Sequence, residues 1–316
     1  MIEFTKSLPL VSIIIPNYNH EAYLALRIDS VLSQTYQNFE LIIMDDCSKD
    51  KSKEVIEQYR SNSKVSAIIF NTENSGSTFK QWKRGIELAK GEWIWIAESD
   101  DYCDANLLAN LIEESKKCNN VVLSYCQSYQ VNESGDILRS MSFYTDELDV
   151  EHWSNSYCVD GLGEIQKFLL YKNTLPNASA ILFKKSAYIQ ADKSFESMKL
   201  CGDWMLWVQL LKIGKIAYCS ESLNYFRTHS ATTRVLDTLL KKRIRLEEEY
   251  KIVLDIKSIP GLSGVNVGSR IHTILKEYSM AFAKNSMFKY LVWPFSYKGS
   301  IPYYKLLSTK LKLLLE

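Results

Sequence analysis

No apolar run near the start of this chain approaches the roughly 20 residues that a membrane-spanning helix needs. The stretch from Leu8 to Ile15 is broken by Pro9 and Ser12 and ended by Pro16. With Glu3 and Lys6 ahead of it, it is also too short and interrupted for a secretory signal. No later run reaches a span's length, so the expected location is the cytoplasm, at most at the inner face of the membrane. Cysteine is sparse and unpatterned. Its 7 residues, Cys47, Cys103, Cys118, Cys126, Cys158, Cys201 and Cys219, contain no C-x-x-C pair. Neither a zinc site nor a disulfide framework is expected, and a reducing compartment follows. An excess of charge is missing too: 38 Lys and Arg face 37 Asp and Glu, which gives no reason to expect a nucleic-acid partner. Internal repeats and low-complexity tracts are absent. What is present is an ordinary globular composition, 46% hydrophobic and 24% charged over 316 residues, enough to bury a full core.

Charge is unevenly placed. From Leu236 onward there are 14 Lys and Arg against 7 Asp and Glu, and before it 24 against 30. The first hundred residues alternate short Ile- and Val-rich runs with helical patterns. Runs Leu10 to Ile15, Phe39 to Met44, Val65 to Phe70 and Trp93 to Ala97 are separated by amphipathic stretches Glu21 to Ser33, Lys51 to Arg60 and Phe79 to Ala89. Such runs read as parallel strands covered on both faces, which predicts a doubly wound, mostly parallel α/β sheet. Strand-like pieces Val121 to Val131, Ala178 to Phe183 and Ser222 to Phe226 follow, with a helical pattern from Trp204 to Ile213. Beyond Thr233 the pattern is helical, Arg234 to Asp255 and Arg270 to Lys284. The expected organisation is a domain over 1–233, its nucleotide-binding half about 1–120 and its acceptor half about 121–233. A helical, basic C-terminal region, 234–316, follows.

Polar clusters end four of the early strands: Pro16-Asn17-Tyr18-Asn19, Asp45-Asp46-Cys47-Ser48, Asn71 to Gly76, and Glu98-Ser99-Asp100-Asp101. Open parallel sheets bind ligands at these carboxyl ends. Hard carboxylate oxygens after Trp93 to Ala97 suit Mg²⁺ or Mn²⁺ shared with substrate phosphates, although Asp100 or Asp101 is equally suited to cap a helix beginning near Asp104. Asp46 is a carboxylate for a base or ribose, or a helix cap. Pro16 to Asn19 also reads as a turn. Lys80, at a helix start, is placed to reach a phosphate or to stay solvated. Asp203 opens the helix from Trp204 and is either its cap or a general base, the best candidate outside the acidic cluster. His229 follows the strand from Ser222; a lone His is commonly a packed or surface residue.

Taken in order, Pro16-x-Tyr18-Asn19, Met44-Asp45-Asp46-Cys47-Ser48, Lys90 to Asp101, Gly202-Asp203-Trp204 and Arg227-x-His229 resemble the family 2 glycosyltransferases of the GT-A fold, over about residues 8 to 232. The resemblance implies an inverting enzyme that takes a sugar from a nucleoside diphosphate, with uridine favoured, to an acceptor hydroxyl of a glycan or lipid-linked precursor. It places Pro16, Tyr18, Asn19, Asp46, Lys80, Glu98 and Ser99 on the nucleotide, Asp46 against the uracil, Asp100 and His229 on Mn²⁺ or Mg²⁺, and Asp203 as the catalytic base. Three positions depart from the family: Glu98 replaces the first Asp of D-x-D, Gly202 replaces the Glu of the usual Glu-Asp pair, and Cys47 replaces a common Gly. A Gln-x-x-Arg-Trp motif of processive synthases is missing, which favours single sugar addition. Two other functions use similar residues. A sugar nucleotidyltransferase needs a Gly-rich basic loop that Pro16 to Asn19 does not supply, whereas a non-catalytic nucleotide-sugar binder differs only in lacking turnover. The stretch after Glu277, with Lys284, Lys289 and Lys298 among Phe288, Tyr290 and Trp293, suits either peripheral membrane contact or packing beneath the domain.

Overall fold

The computed structural model of the protein describes residues 8–229 and 238–283. Its frame is a mixed sheet with strand order β3-β2-β1-β4-β9-β6-β10-β5. Strands β1 (Val11–Asn17), β2 (Phe39–Asp45), β3 (Val65–Phe70) and β4 (Trp93–Ile96) are parallel, linked by helices α1 (Glu21–Leu32), α2 (Ser52–Glu57) and α3 (Thr78–Leu88). Alternation along each strand feeds two cores. Val11, Ile13 and Ile15 pack on one face with Trp93 and Trp95, and Ile14 packs on the other with Ile94 and Ile96. Burial on both faces explains why β1, β2 and β4 are mostly apolar, and the two polar interruptions of β1 and β2, Ser12 and Glu40, bond to each other. Pro16 sits in a central strand without losing a ladder bond, because β4 pairs with β1 only as far as Ile14 opposite Ile96.

The second half inserts strands from elsewhere in the chain. After β5 (Tyr102–Cys103) and α4 (Leu107–Lys116) comes β6 (Val121–Val131), flanked by β7 (Ile137–Ser140); β8 (Tyr157–Asp160) pairs with β10 (Lys215–Arg227). Strand β9 (Ile181–Lys184) runs antiparallel between β4 and β6. Its first expected residues form a 3-10 turn, Ala178–Ala180, because the Asn177 side chain accepts from Ser179 N–H. The strand expected over Ser222 to Phe226 is longer, and it holds its length through register shifts against β6 between Cys219 and Asn224. Helices α5 (Phe143–Asp146), α6 (Gly161–Glu164) and α7 (Lys185–Gln190) are short connectors.

Helix α8 (Gly202–Leu211) is buried almost all round, the mark of a core helix. Helices α9 (Leu239–Ser258) and α10 (Gly268–Ala283) share its core through Tyr250, Val253, Ile256 and Tyr278. The Glu248 carboxylate in α9 accepts the N–H groups of Lys199, Leu200 and Cys201 at 2.7–2.9 Å, so α9 fixes the backbone leading into α8. The expected boundary at 233 and the basic, aromatic stretch from Lys284 onward lie outside the described residues. Among the described residues no helix is long and apolar enough to cross a membrane. One expectation is corrected: Cys118 and Cys158 are joined, their Cα atoms 6.6 Å apart. The pairing brings the chain beyond α4 against β8, a tertiary contact that cysteine spacing does not disclose.

Candidate active site

The turn leaving β4 gives each of its polar side chains a different partner. Glu98 Oε1 accepts from Trp82 Nε1 of α3 at 2.9 Å. Ser99 Oγ lies 2.8 Å from His20 Nδ1, and Asp100 Oδ2 lies 3.1 Å from His229 Nε2. Asp101 accepts from the Arg227 N–H at 2.9 Å and from Asn177 Nδ2 at 3.1 Å. The capping alternative for Asp100 and Asp101 is thereby removed: α4 begins at Leu107, its N-cap is Asn106, and neither aspartate reaches it. Asp101 instead ties β10 and the segment before β9 to the end of β4.

Asp100, His229 and His20 each offer one ligand atom, and the three atoms lie within 4.8 Å of one another. One carboxylate with two imidazoles is a donor set that fits a divalent ion. Asp100 and His229 are the two expected ligands; His20 is a residue the sequence reading passed over, although it stands directly after Asn19. A histidine at the N-cap of a helix, where Ser, Asp or Asn would cap better, is the signal that was available.

Electrostatics at the turn follow from burial of several acids together. Glu98 is pushed up to about 8, by burial first and by the neighbouring Asp100 charge second. Asp101 is also raised, for the same two reasons. For Asp100, burial works against ionisation, but the hydrogen bond to His229 and the nearby His20 outweigh it, and its carboxyl lies below the ordinary value. His229 is raised by its hydrogen bond to Asp100, whereas burial lowers His20. A divalent cation here would stabilise the charged carboxylates.

Two buried arginines counter these acids. Arg27 is fully buried on α1, donates Nε to the Glu98 carbonyl at 2.9 Å and lies over the Trp95 ring. Arg227 donates Nε to the Asp100 carbonyl at 2.8 Å. The role of Arg27 escaped the sequence reading, yet it shares the inward face of α1 with Leu24, Ile28 and Val31, and a charge on an apolar stripe is a marker of a buried partner.

Of the residues expected on the nucleotide, Pro16 is buried and Tyr18 is 44% exposed at the end of β1. Asn19, in the left-handed region at φ 57°, receives Lys49 N–H on its Oδ1 and donates its own N–H to Ser48 Oγ. Cys47 keeps the turn that a glycine commonly makes by adopting φ 64°. Asp45 accepts from Asn17 Nδ2 and from the Ser48 N–H and hydroxyl. Asp46, expected to face a base, is buried and accepts from Asn71 Nδ2, Ser75 N–H and Oγ, and Gln81 Nε2. Lys80 is exposed and donates to the Ser75 carbonyl at 3.2 Å.

Asp203 lies in the first turn of α8, half-buried, and accepts from Asn173 Nδ2 at 3.1 Å. The N-cap position belongs to Cys201, so Asp203 is not the cap. Asn173 escaped the sequence reading, having no motif around it.

Residues 12–173 match the family model described as glycosyl transferase family 2. An uncharacterized glycosyltransferase of Rickettsia typhi is 29% identical over 284 residues, 89% of this chain and 82% of that protein. Among solved structures, residues 1–349 of S. aureus TarS in complex with UDP-GlcNAc are similar with a TM-score of 0.57 at 17% identity, covering 86% of this chain and 81% of that 1–349 chain. The mannosyltransferase PcManGT from Pyrobaculum calidifontis, in complex with GDP-Man and Mn²⁺, gives 0.58 at 15% identity, covering 98% and 82%. These structures share the GT-A fold expected from the sequence.

Proposed function

The chain belongs to glycosyl transferase family 2, and we propose that within it the protein is an inverting enzyme moving a sugar from a uridine diphosphate sugar to an acceptor hydroxyl. One observation carries this reading: a single strap, Asn173 to Asn177, hydrogen-bonds Asp203 at one end and Asp101 of the acidic turn at the other. Four Cα steps span at most about 14 Å, a distance that one bound nucleotide sugar can bridge. Asp203 takes the acceptor proton as the hydroxyl oxygen attacks C1, the bond from C1 to the diphosphate breaks, and its electron pair leaves with the diphosphate. Attack from the face opposite the leaving group inverts the anomeric centre. Asp100 and His229 would hold a divalent ion, which would supply charge neutralisation for the diphosphate. Arg27 and Arg227 hold the acidic turn in place.

Uridine is supported by the exposed Tyr18 ring, suited to stacking on a base, and by the uridine nucleotide bound to TarS. A direct contact of Asp46 with the uracil requires one of its protein donors to yield. The acceptor is a cell-surface glycan or lipid-linked precursor, a reading supported by the basic and aromatic composition of the last forty residues or so. A panel of nucleotide sugars, screened for donor hydrolysis with Mn²⁺ present, tests the assignment. UDP-sugar turnover that EDTA abolishes, with Asp100→Asn weakening UDP only when metal is present, is the expected result. Full turnover in chelator removes the metal, and tighter binding of GDP or ADP than of UDP removes the uridine assignment.

A further inference from the structure

His20 occupies the N-cap position of α1, yet its side chain makes no capping hydrogen bond. Its ring is turned instead toward the acidic turn, where Nδ1 meets Ser99 Oγ at 2.8 Å. The ring is held from several sides. Asn19, just before it, is fixed by Ser48 and Lys49, and the His20 carbonyl accepts from Tyr23 and Leu24 N–H at 3.0 Å. The His229 ring stands edge-on to it at 5.5 Å between centroids. A histidine held by a hydrogen bond at Nδ1, with a ring nitrogen within 4.8 Å of ligand atoms of a carboxylate, Asp100, and a second imidazole, His229, is oriented as metal-ligating histidines are.

We propose that His20 is a third protein ligand to the divalent ion at Asp100, and that the pair of imidazoles selects Mn²⁺ or Co²⁺ over Mg²⁺. This rests on reading the site as that of a metal-dependent sugar transferase. Magnesium binds through carboxylate and water oxygens and sheds its water reluctantly. Imidazole ligands favour first-row transition ions, with affinity rising from Mn²⁺ to Co²⁺. A set of one carboxylate and two neutral imidazoles also leaves about one unit of positive charge on the ion and its ligands, suited to an anionic diphosphate. Ser99 becomes the group that orients His20, which accounts for a buried serine within the acidic turn.

The test uses the full-length chain and the metal alone, read by Mn²⁺ titration in electron paramagnetic resonance and by the visible absorption of bound Co²⁺. Wild type is expected to bind Mn²⁺ and Co²⁺ about 10-fold or more tighter than Mg²⁺. His20→Gln is expected to weaken Co²⁺ by about 10-fold or more and to change its absorption spectrum. His20→Asp, which supplies oxygen in place of nitrogen, is expected to move the preference toward Mg²⁺. A Co²⁺ spectrum and affinity in folded His20→Gln equal to wild type overturn the role of His20, as does a His20→Asp variant with unchanged selectivity if His20→Gln fails to fold. Either result leaves the transferase reading intact if wild-type turnover still needs metal. Full wild-type turnover in chelator overturns the metal step itself and with it this inference.

Discussion

The ring of Phe79 stands where a side chain on Gly202 would have to go: a Cβ built on Gly202 lies 2.6 Å from Phe79 Cε2. The missing Glu of the Glu-Asp pair is thus replaced by packing from α3, which seals the first turn of α8 beside Asp203. Restoring the acid by Gly202→Glu should overpack this contact and lower stability by about 1–3 kcal/mol. Thermal unfolding checks it, and adding Phe79→Ala should return part of the loss contributed by the clash. A Gly202→Glu protein as stable as wild type shows that the ring moves aside freely.

Asp203→Asn should lower turnover by about 10² or more, as loss of a general base does, while UDP affinity stays close to wild type. Asn173→Ala, which removes the donor to Asp203, should act in the same direction with a smaller effect. Steady-state kinetics alongside calorimetric UDP titrations separate the two quantities. If Asp203→Asn retains turnover, Asp203 is a structural residue of α8.

Glu248 ties α9 to the backbone that leads into α8. Its carboxylate is the partner of three successive N–H groups at 199–201, and Glu248→Ala strands the buried Cys201 donor and removes the acceptor of two part-buried ones. A loss of about 3 kcal/mol in unfolding free energy is expected, the scale for stranding buried polar groups. Because Asp203 follows within two residues of Cys201, turnover in the folded fraction should fall more than UDP affinity. Denaturant unfolding and kinetics on the same preparation measure both effects.

Acid stability should depend on Glu40. Burial opposes its ionisation, but hydrogen bonds from Ser12 Oγ and the Lys90 N–H, joined by Ser66, hold its carboxyl below the ordinary value of 4.5. A depressed folded-state pKa means that ionised Glu40 stabilises the fold above about pH 4.5, and that this contribution is lost as pH falls through the lower folded value. The melting-temperature gap between wild type and Glu40→Gln should therefore be largest near neutrality and shrink on acidification below about pH 4. A gap independent of pH would falsify the assignment.

Much of the frame was legible in the chain. Runs such as Phe39 to Met44, Glu40 excepted, and Trp93 to Ala97 are apolar because both faces of the sheet are covered, and β3 starts and ends where its run does, at Val65 and Phe70. Asp100 and His229 were expected near one metal, and their side chains meet. Less legible were His20, Arg27, Asn173 and Glu248. Each acts on residues 30 to 79 positions away, and nothing next to them in the sequence marks the partner.

Local pattern alone determined the four early strands, the helices between them, and that the acids fall at strand ends, since side-chain period and burial are properties of neighbouring residues; it did not disclose the short strands β5, β7 and β8. Which acid meets which base or cation was decided by strand order. Insertion of β9 antiparallel between β4 and β6 lets Asn177 reach Asp101, and the path of β10 carries Arg227 and His229 to a turn more than a hundred residues earlier. Those pairings depend on how distant strands are arranged in space, a choice set by the packing of the whole core rather than by any short stretch of the chain.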